Sequence, residues 1–228
     1  MLRIALLCGL LLVNTLVNAE AEPFNRVDFQ VEAVREVAND LLTANMTVEI
    51  QDKQPDRVAQ QINATLNDAL KKTSAFSSVK ASSGNQRTYP VYGKNNQIDV
   101  WRGHGEIRLE SRDFKAASEL IMQLQALLQL SGVQFTIAPD TRAQIENALI
   151  TEAIKSFQAR AEAICAAVGT QSYKTVHFSI NSGGMPPRYP VRMMHGAAMA
   201  DASMIPAPEF AGGENSMTVQ ISGTIETQ

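Results

Sequence analysis

From Val27 onward the chain alternates between two spacings of its apolar residues. The first has a period of two, the mark of a strand that buries one face. Val27, Phe29, Val31 and Ala33 alternate with Asp28, Gln30 and Glu32, and Met46, Val48 and Ile50 alternate with Asn45, Thr47 and Glu49. Trp101, Ile107 and Leu109 share a face opposite Arg102, His104, Glu106 and Arg108. Val133, Phe135 and Ile137 predict a short strand, Val176, Phe178 and Ile180 another, and Met217, Val219, Ile221 and Ile225 the last.

The second spacing is helical. After Pro55, suited to a first helical position, Val58, Ile62, Leu66, Ala69 and Leu70 fall on one stripe. Asp113 can cap a helix whose inner face is Ala117, Leu120, Leu124 and Leu127. The longest helix follows Pro139 and Asp140. Its inner face runs through Ile145, Leu149, Ala153, Phe157, Ala161, Ile164 and Val168 until Gly169 stops it, and Arg142 can pair with Glu146 on its outer side. The order β-β-α-β-β-α-β-α-β-β predicts an α+β fold, with antiparallel or mixed β-sheets built from hairpins and three main helices packed on them.

Two stretches fit neither spacing. Residues 82–97, rich in Ser, Gly, Asn and Gln around Tyr89 to Tyr92, predict a hairpin with a long polar arm. Residues 181–214 carry Gly183-Gly184, Pro186-Pro187, Pro190, Pro206, Pro208 and Gly212-Gly213, and predict a long loop of the kind that serves function or stays disordered.

The N-terminus is patterned differently again. Arg3 precedes an apolar run from Ile4 to Leu12, continued by Val13, Leu16 and Val17, and the segment ends on small residues. This is the layout of a cleavable export signal over residues 1–19, with cleavage after Ala19 and Ala21 as the alternative site. A retained anchor fits less well, because the apolar run is shorter than the roughly 20 residues a bilayer requires and Asn14 and Thr15 interrupt it. Cys8 follows Leu7 in the middle of the run, which argues against lipidation.

Export changes the arithmetic. The full chain has 228 residues with 20 Lys plus Arg, 23 Asp plus Glu, 45% hydrophobic and 19% charged residues. Removing residues 1–19 leaves 209 and takes only Arg3 among the charges, so 19 basic groups face 23 acidic ones. A net negative chain has no broad attraction for nucleic acid or an anionic membrane. Of the two Cys only Cys165 remains, which forbids an internal disulfide even in an oxidising compartment. About 200 residues suffice for an ordinary core.

Three blocks carry a resemblance to a known family. RVDFQVEAVREVANDLLTANMTVEIQDKQPDRVAQQINATLNDAL, VWRGHGEIRLESRDFKAASELI and SGVQFTIAPDTRAQIENALITEAIKSFQARAEAICAAVG together resemble the SIMPL domain of secreted and periplasmic proteins. The last block is the most specific: a short strand, a turn with Pro139-Asp140, and a long Ala-rich helix ending in Gly. PAPEFAGGENSMTVQISGTIE, a Pro- and Ala-rich loop before the final strand, is also similar. Where the family often has an SGEG strand and a Pro-Asp turn, this chain has VEAVREVANDL, with Asn39-Asp40 in the turn of an expected first hairpin. The resemblance implies one SIMPL-like domain over residues 20–228, open to division into two α/β lobes. It also implies an exported periplasmic protein, often self-associating into dimers or rings, linked to envelope integrity and stress. It supplies no catalytic residues.

The residues themselves point the same way. G-x-S-x-G, H-E-x-x-H, G-x-x-x-x-G-K and CxxC are all absent, so no enzyme and no cofactor are expected. His104, within Gly103-His104-Gly105, lies on the polar side of its strand and reads as a solvated or hairpin-edge residue; His177 reads as surface. Cys165 flanks the inner face of the long helix and reads as a buried small hydrophobe, an exposed redox thiol being the alternative.

The one chemical lead is methionine. Six of nine lie between 185 and 217: Met185, Met193, Met194, Met199, Met204 and Met217. Thioether and imidazole both suit Cu(I), so Met193, Met194, His195 and Met199 form a candidate metal set. The plainer reading, an adaptable apolar segment for contact with a partner subunit, is preferred. Met185, Arg188, Tyr189, Arg192 and Met204 would then belong to the interaction loop, and Met217 to the core of the last strand. The expected partner is a second copy of the chain. Nucleic acid and a stable membrane span are not expected.

Overall fold

The computed structural model describes residues 25–183 and 211–228. The elements run β1 (Arg26–Ala38), β2 (Leu41–Asp52), α1 (Pro55–Thr73), β3 (Val79–Ser83), β4 (Arg87–Tyr92), β5 (Ile98–Ser111), α2 (Phe114–Leu124), β6 (Gln129–Thr136), α3 (Pro139–Val168), β7 (Tyr173–Ser182) and β8 (Glu214–Thr227). They form an α+β arrangement of two antiparallel sheets and three helices. The signal-like segment and the Met-rich segment, including Met185, Arg188, Tyr189, Arg192, Met193, Met194, His195, Met199 and Met204, lie outside the described residues.

The first sheet has the order β3-β5-β2-β6, with β4 also on β5, so the 14-residue β5 carries β3 and β4 end to end along one side. Its apolar face, from Leu42, Ala44 and Met46 on β2 and Ile107 and Leu109 on β5, is covered by α1 and α2. α1 contributes Val58, Ile62, Leu66 and Ala69, and α2 contributes Ala117, Leu120, Ile121 and Leu124, all buried. Pro55 opens α1, with Asp56 in its first turn and Lys71 and Lys72 in its last, the charge order the helix dipole favours. Asp113 caps α2 as expected, its Oδ1 accepting from the Ala116 N–H at 3.0 Å.

Gly103 and Gly105 have a packing reason. Both lie on the buried face of β5, opposite Ile50 and Val48. A Cβ on Gly103 would come within 2.3 Å of Val58 Cγ1 and 2.4 Å of Ile62 Cδ1, and one on Gly105 within 2.8 Å of Ile62 Cγ2. α1 rests directly on the β5 backbone, an approach only glycine permits.

The second sheet joins the two ends of the described chain. β1 pairs antiparallel with β8 over its whole length, from Arg26 opposite Glu226 to Ala38 opposite Glu214, and β7 takes the other side of β8. α3 covers one face with Leu149, Ala153, Phe157 and Ala161 against Ala33, Val219, Ile221 and Ile225, and Cys165 is buried one turn beyond Ala161. It ends where expected, at Gly169, with φ of 82°.

Four expectations are corrected. The first two strands do not form a hairpin: β1 belongs with β8, β2 lies between β5 and β6, and Asn39-Asp40 passes the chain from one sheet to the other. The polar arm at 82–97 is flanked by an additional strand, β3, which the period-two pattern was too short to reveal. Val168 is 56% exposed, and Cys165 completes the buried face of α3. The expected face took a step of three after Ala161, to Ile164 and Val168, whereas the buried face keeps the step of four from Leu149 through Ala161 to Cys165, each such step turning about 40° past a full revolution. The face expected for Val176, Phe178 and Ile180 is broken by a register shift between Thr175 and His177, and all three stay exposed.

Gly103→Ala is expected to cost about 1–3 kcal/mol through overpacking. Gly132→Ala, where a Cβ meets nothing within 4 Å, is expected to stay within about 0.5 kcal/mol. Urea unfolding of the two variants checks the contrast, and equal losses would overturn the packing account.

Candidate functional site

Perturbed titration is one guide to a site. Among the described residues the shifted groups are Asp40, Arg112 and Asp140, and they meet at one place. Asp40, just after β1, accepts hydrogen bonds from the Ala138 N–H and the Thr141 hydroxyl, both at 2.6 Å, at the N-terminus of α3. Arg112, between β5 and α2, pairs with Asp140 and has its Nε 3.9 Å from Asp40 Oδ2. Burial pushes the Asp40 carboxyl up, but the Ala138 and Thr141 donors and the Arg112 charge outweigh it and leave the group below the usual carboxylate range. Hydrogen bonding to Arg112 is the main cause holding Asp140 low, and that bond raises Arg112 in turn.

Asn39 completes the joint. Its N–H donates to Gly213 O at 3.0 Å, its Nδ2 to Gly212 O at 2.7 Å, and its Oδ1 accepts from Asn215 Nδ2 at 2.6 Å. Every partner belongs to a strand end, a helix start or a connection between the sheets. The cluster therefore works as a clamp, and its perturbed groups are explained by that role.

The sequence-nominated residues fall elsewhere. His104 lies on the polar face of β5 in a row with Arg87 of β4 and Glu49 of β2. The face was read correctly and the exposure was not: the side chain is 18% exposed, with Nδ1 3.8 Å from Glu49 Oε1 and no hydrogen-bond partner for that buried atom. A central strand position shields it, whereas a hairpin edge would not. Cys165 is buried, with Sγ 3.5 Å from Ser172 O. His177 is exposed, as expected. Met217 is buried in the second core. Among the described residues no three His, Cys, Asp or Glu side chains gather as a metal site would require.

Two surface features remain, on either side of the three-stranded sheet. The side away from α3 is a shallow trough of about 530 Å³ lined by Asp28, Phe29, Gln30, His177, Ser179, Ser222, Gly223 and Thr224. Its groups largely satisfy one another, since the Thr224 hydroxyl donates to Asp28 and the Ser179 and Ser222 hydroxyls lie 3.0 Å apart.

The side facing α3 is different at its β7 edge. Phe29 stacks on Phe157 with centroids 4.5 Å apart, and Phe178 leans on Phe157 at 6.2 Å. Gly223 makes room for them, because a Cβ there would lie 2.8 Å from Phe178 Cβ and 3.0 Å from Phe157 Cε2. Phe178 is nevertheless 46% exposed, with Val176 at 43% and Ile180 at 41%. Beside them is a small groove of about 70 Å³ between α3 and β7, lined by Ile154, Phe157, Gln158, Thr175, Phe178 and Ile221. These three apolar residues were expected in the core. Their exposure was hidden in the sequence because periodicity marks which residues share a face and is silent on whether anything covers it.

The SIMPL family, described as a protein of unknown function (DUF541), matches residues 27–225, and the chain belongs to it. No curated protein matches the chain. Among solved structures, one described as the crystal structure of AtUAH in complex with glyoxylate overlaps at 15% identity and a TM-score of 0.29. The overlap covers 52% of this chain and 34% of that one, so it spans about a third of that protein's length and carries no argument.

Asp40→Asn is expected to destabilise the chain by about 2 kcal/mol near neutral pH, the scale of hydrogen bonds to a charged group. Because the folded carboxyl titrates below its ordinary value of 3.8, its stabilisation is present above that value and is lost as pH falls through the folded one. The gap between the urea midpoints of wild type and variant should therefore narrow as pH falls from 7 to 3; a gap that stays constant with pH would overturn the charge argument.

Proposed function

We infer that this SIMPL-family chain is an exported, non-enzymatic periplasmic protein that acts by self-association, in the maintenance or stress response of the cell envelope. The observation that carries the reading is the uncovered apolar edge of β7, where Val176, Phe178 and Ile180 are each more than 40% exposed. An apolar patch of this kind on a sheet edge favours a protein partner over solvent. The pattern of residues 1–19 supports export. Family membership supports the class and leaves the activity open, since one fold hosts unrelated functions. No helix among the described residues is long and apolar enough to cross a membrane.

A second reading, a periplasmic module that binds a small ligand or Cu(I), rests on the crowding of Met193, Met194, His195 and Met199 in sequence. It predicts saturable Cu(I) binding that disappears when Met193, Met194 and His195 are replaced together. An unchanged affinity rejects it.

The leading reading predicts two masses for protein expressed from the whole sequence and purified after export. Intact mass spectrometry should find a chain beginning at Glu20. Light scattering on a sizing column, with reductant present, should find a whole multiple of that mass. A monomer at every concentration removes the assembly reading.

A further inference from the structure

We propose that a second copy of this chain docks on β7, adding its own β7 antiparallel to the first and joining two three-stranded sheets into one of six strands. The inference rests on the self-association reading and names the surface responsible. Among the described residues β7 is an edge strand, paired with β8 on one side only. Such a strand offers a row of unpaired N–H and C=O groups to another chain, and proteins that stay monomeric guard it with charge.

The contrast with β1 and β6 supports the assignment. β1, the opposite edge of the same sheet, carries Arg26, Asp28, Glu32, Arg35 and Glu36, and two of its arginines are engaged in ion pairs with Glu226 and Glu152. β6, an edge of the first sheet, has no charged residue, but it turns Leu130, Val133 and Phe135 onto the first core. β7 has one charged side chain, Lys174 at its start, together with three exposed apolar residues. It has both the open backbone and the uncovered apolar surface.

Charge and symmetry together point to a copy of the same strand as occupant. Beyond the bulge, β7 is regular from His177 to Ser182, opposite Thr224 to Val219. Two antiparallel copies related by a twofold axis must keep corresponding faces on the same side, because that axis stands perpendicular to the sheet. With the axis near Ser179, Phe178 of each copy faces Ile180 of the other, and His177 faces Asn181. No charged residue meets its like, since Lys174 lies beyond the paired segment. All four apolar side chains then gather on the α3 side, next to the groove lined by Ile154 and Phe157, where cross-strand aromatic and β-branched pairs are favourable.

The test uses exported wild-type protein, Ile180→Lys and Ser179→Cys. Ile180→Lys should raise the dissociation constant by about tenfold or more and halve the mass seen by light scattering, while circular dichroism stays unchanged. Ser179→Cys, with a side chain at the twofold, should form a covalent dimer on mild oxidation where wild type, with only buried Cys165, does not. An oligomeric wild type whose mass survives Ile180→Lys, and whose Ser179→Cys variant does not cross-link, overturns the β7 interface and leaves self-association standing. A monomeric wild type overturns both. If the thiol introduced by Ser179→Cys into such a monomer also resists thiol reagent until the protein is denatured, another part of the same chain covers the strand.

Discussion

The chain crosses between its two sheets at Asn39 and Asp40, and the rest of the architecture depends on that crossing being held. Asn39 ties the end of β1 to the segment leading into β8, while Asp40 sits over the start of α3 and shares Arg112 with Asp140. Four connections meet at one carboxylate and one amide, so the relative placement of two separately packed cores is set by a handful of polar contacts. The first core is closed by α1 and α2 and the second by α3 alone. The two clusters of buried residues are separate, and at the joint the hydrogen bonds and charge act beside the approach of the Phe114 ring to Gly212.

The uncovered edge follows from the same division. One helix is about 10–12 Å across with its side chains, and the outer two of three strands at about 4.8 Å spacing lie about 10 Å apart, so one helix covers all three only where it sits squarely over the middle one. α3 packs chiefly on β1 and β8. Phe157 reaches toward Phe178 from that position, yet Phe178 remains almost half exposed. The first sheet, with two helices for its five strands, shows no comparable exposure along β6, whose apolar residues lie on its core. A shortage of covering helix at β7 is thus the structural origin of the proposed interface.

The sequence made the elements legible. Apart from β3, the periodic patterns located the strands and all three helices, Asp113 and Gly169 were recognisable as caps, and the resemblance to the SIMPL family agrees with the match over residues 27–225. Pairing was harder to read. Nothing local tells Val31 that its neighbour is Ile221 and not a residue of the next strand, because the energy of that choice lies in contacts nearly two hundred residues apart. The clamp at Asp40 was hidden for the same reason, its partners Ala138, Thr141 and Arg112 being scattered along the chain.

What the sequence determined by itself was local: which residues share a face, where the helices start, and where α3 stops. What only the tertiary structure decided was which faces find a cover. Gly103 and Gly105 are needed because α1 lies against them, Cys165 replaces Val168 because the buried face of α3 keeps its step of four past Ala161, and Phe178 stays exposed because α3 packs chiefly on β1 and β8. Hydrophobic pattern records a residue's own preference, whereas burial depends on the width and position of whatever packs above it.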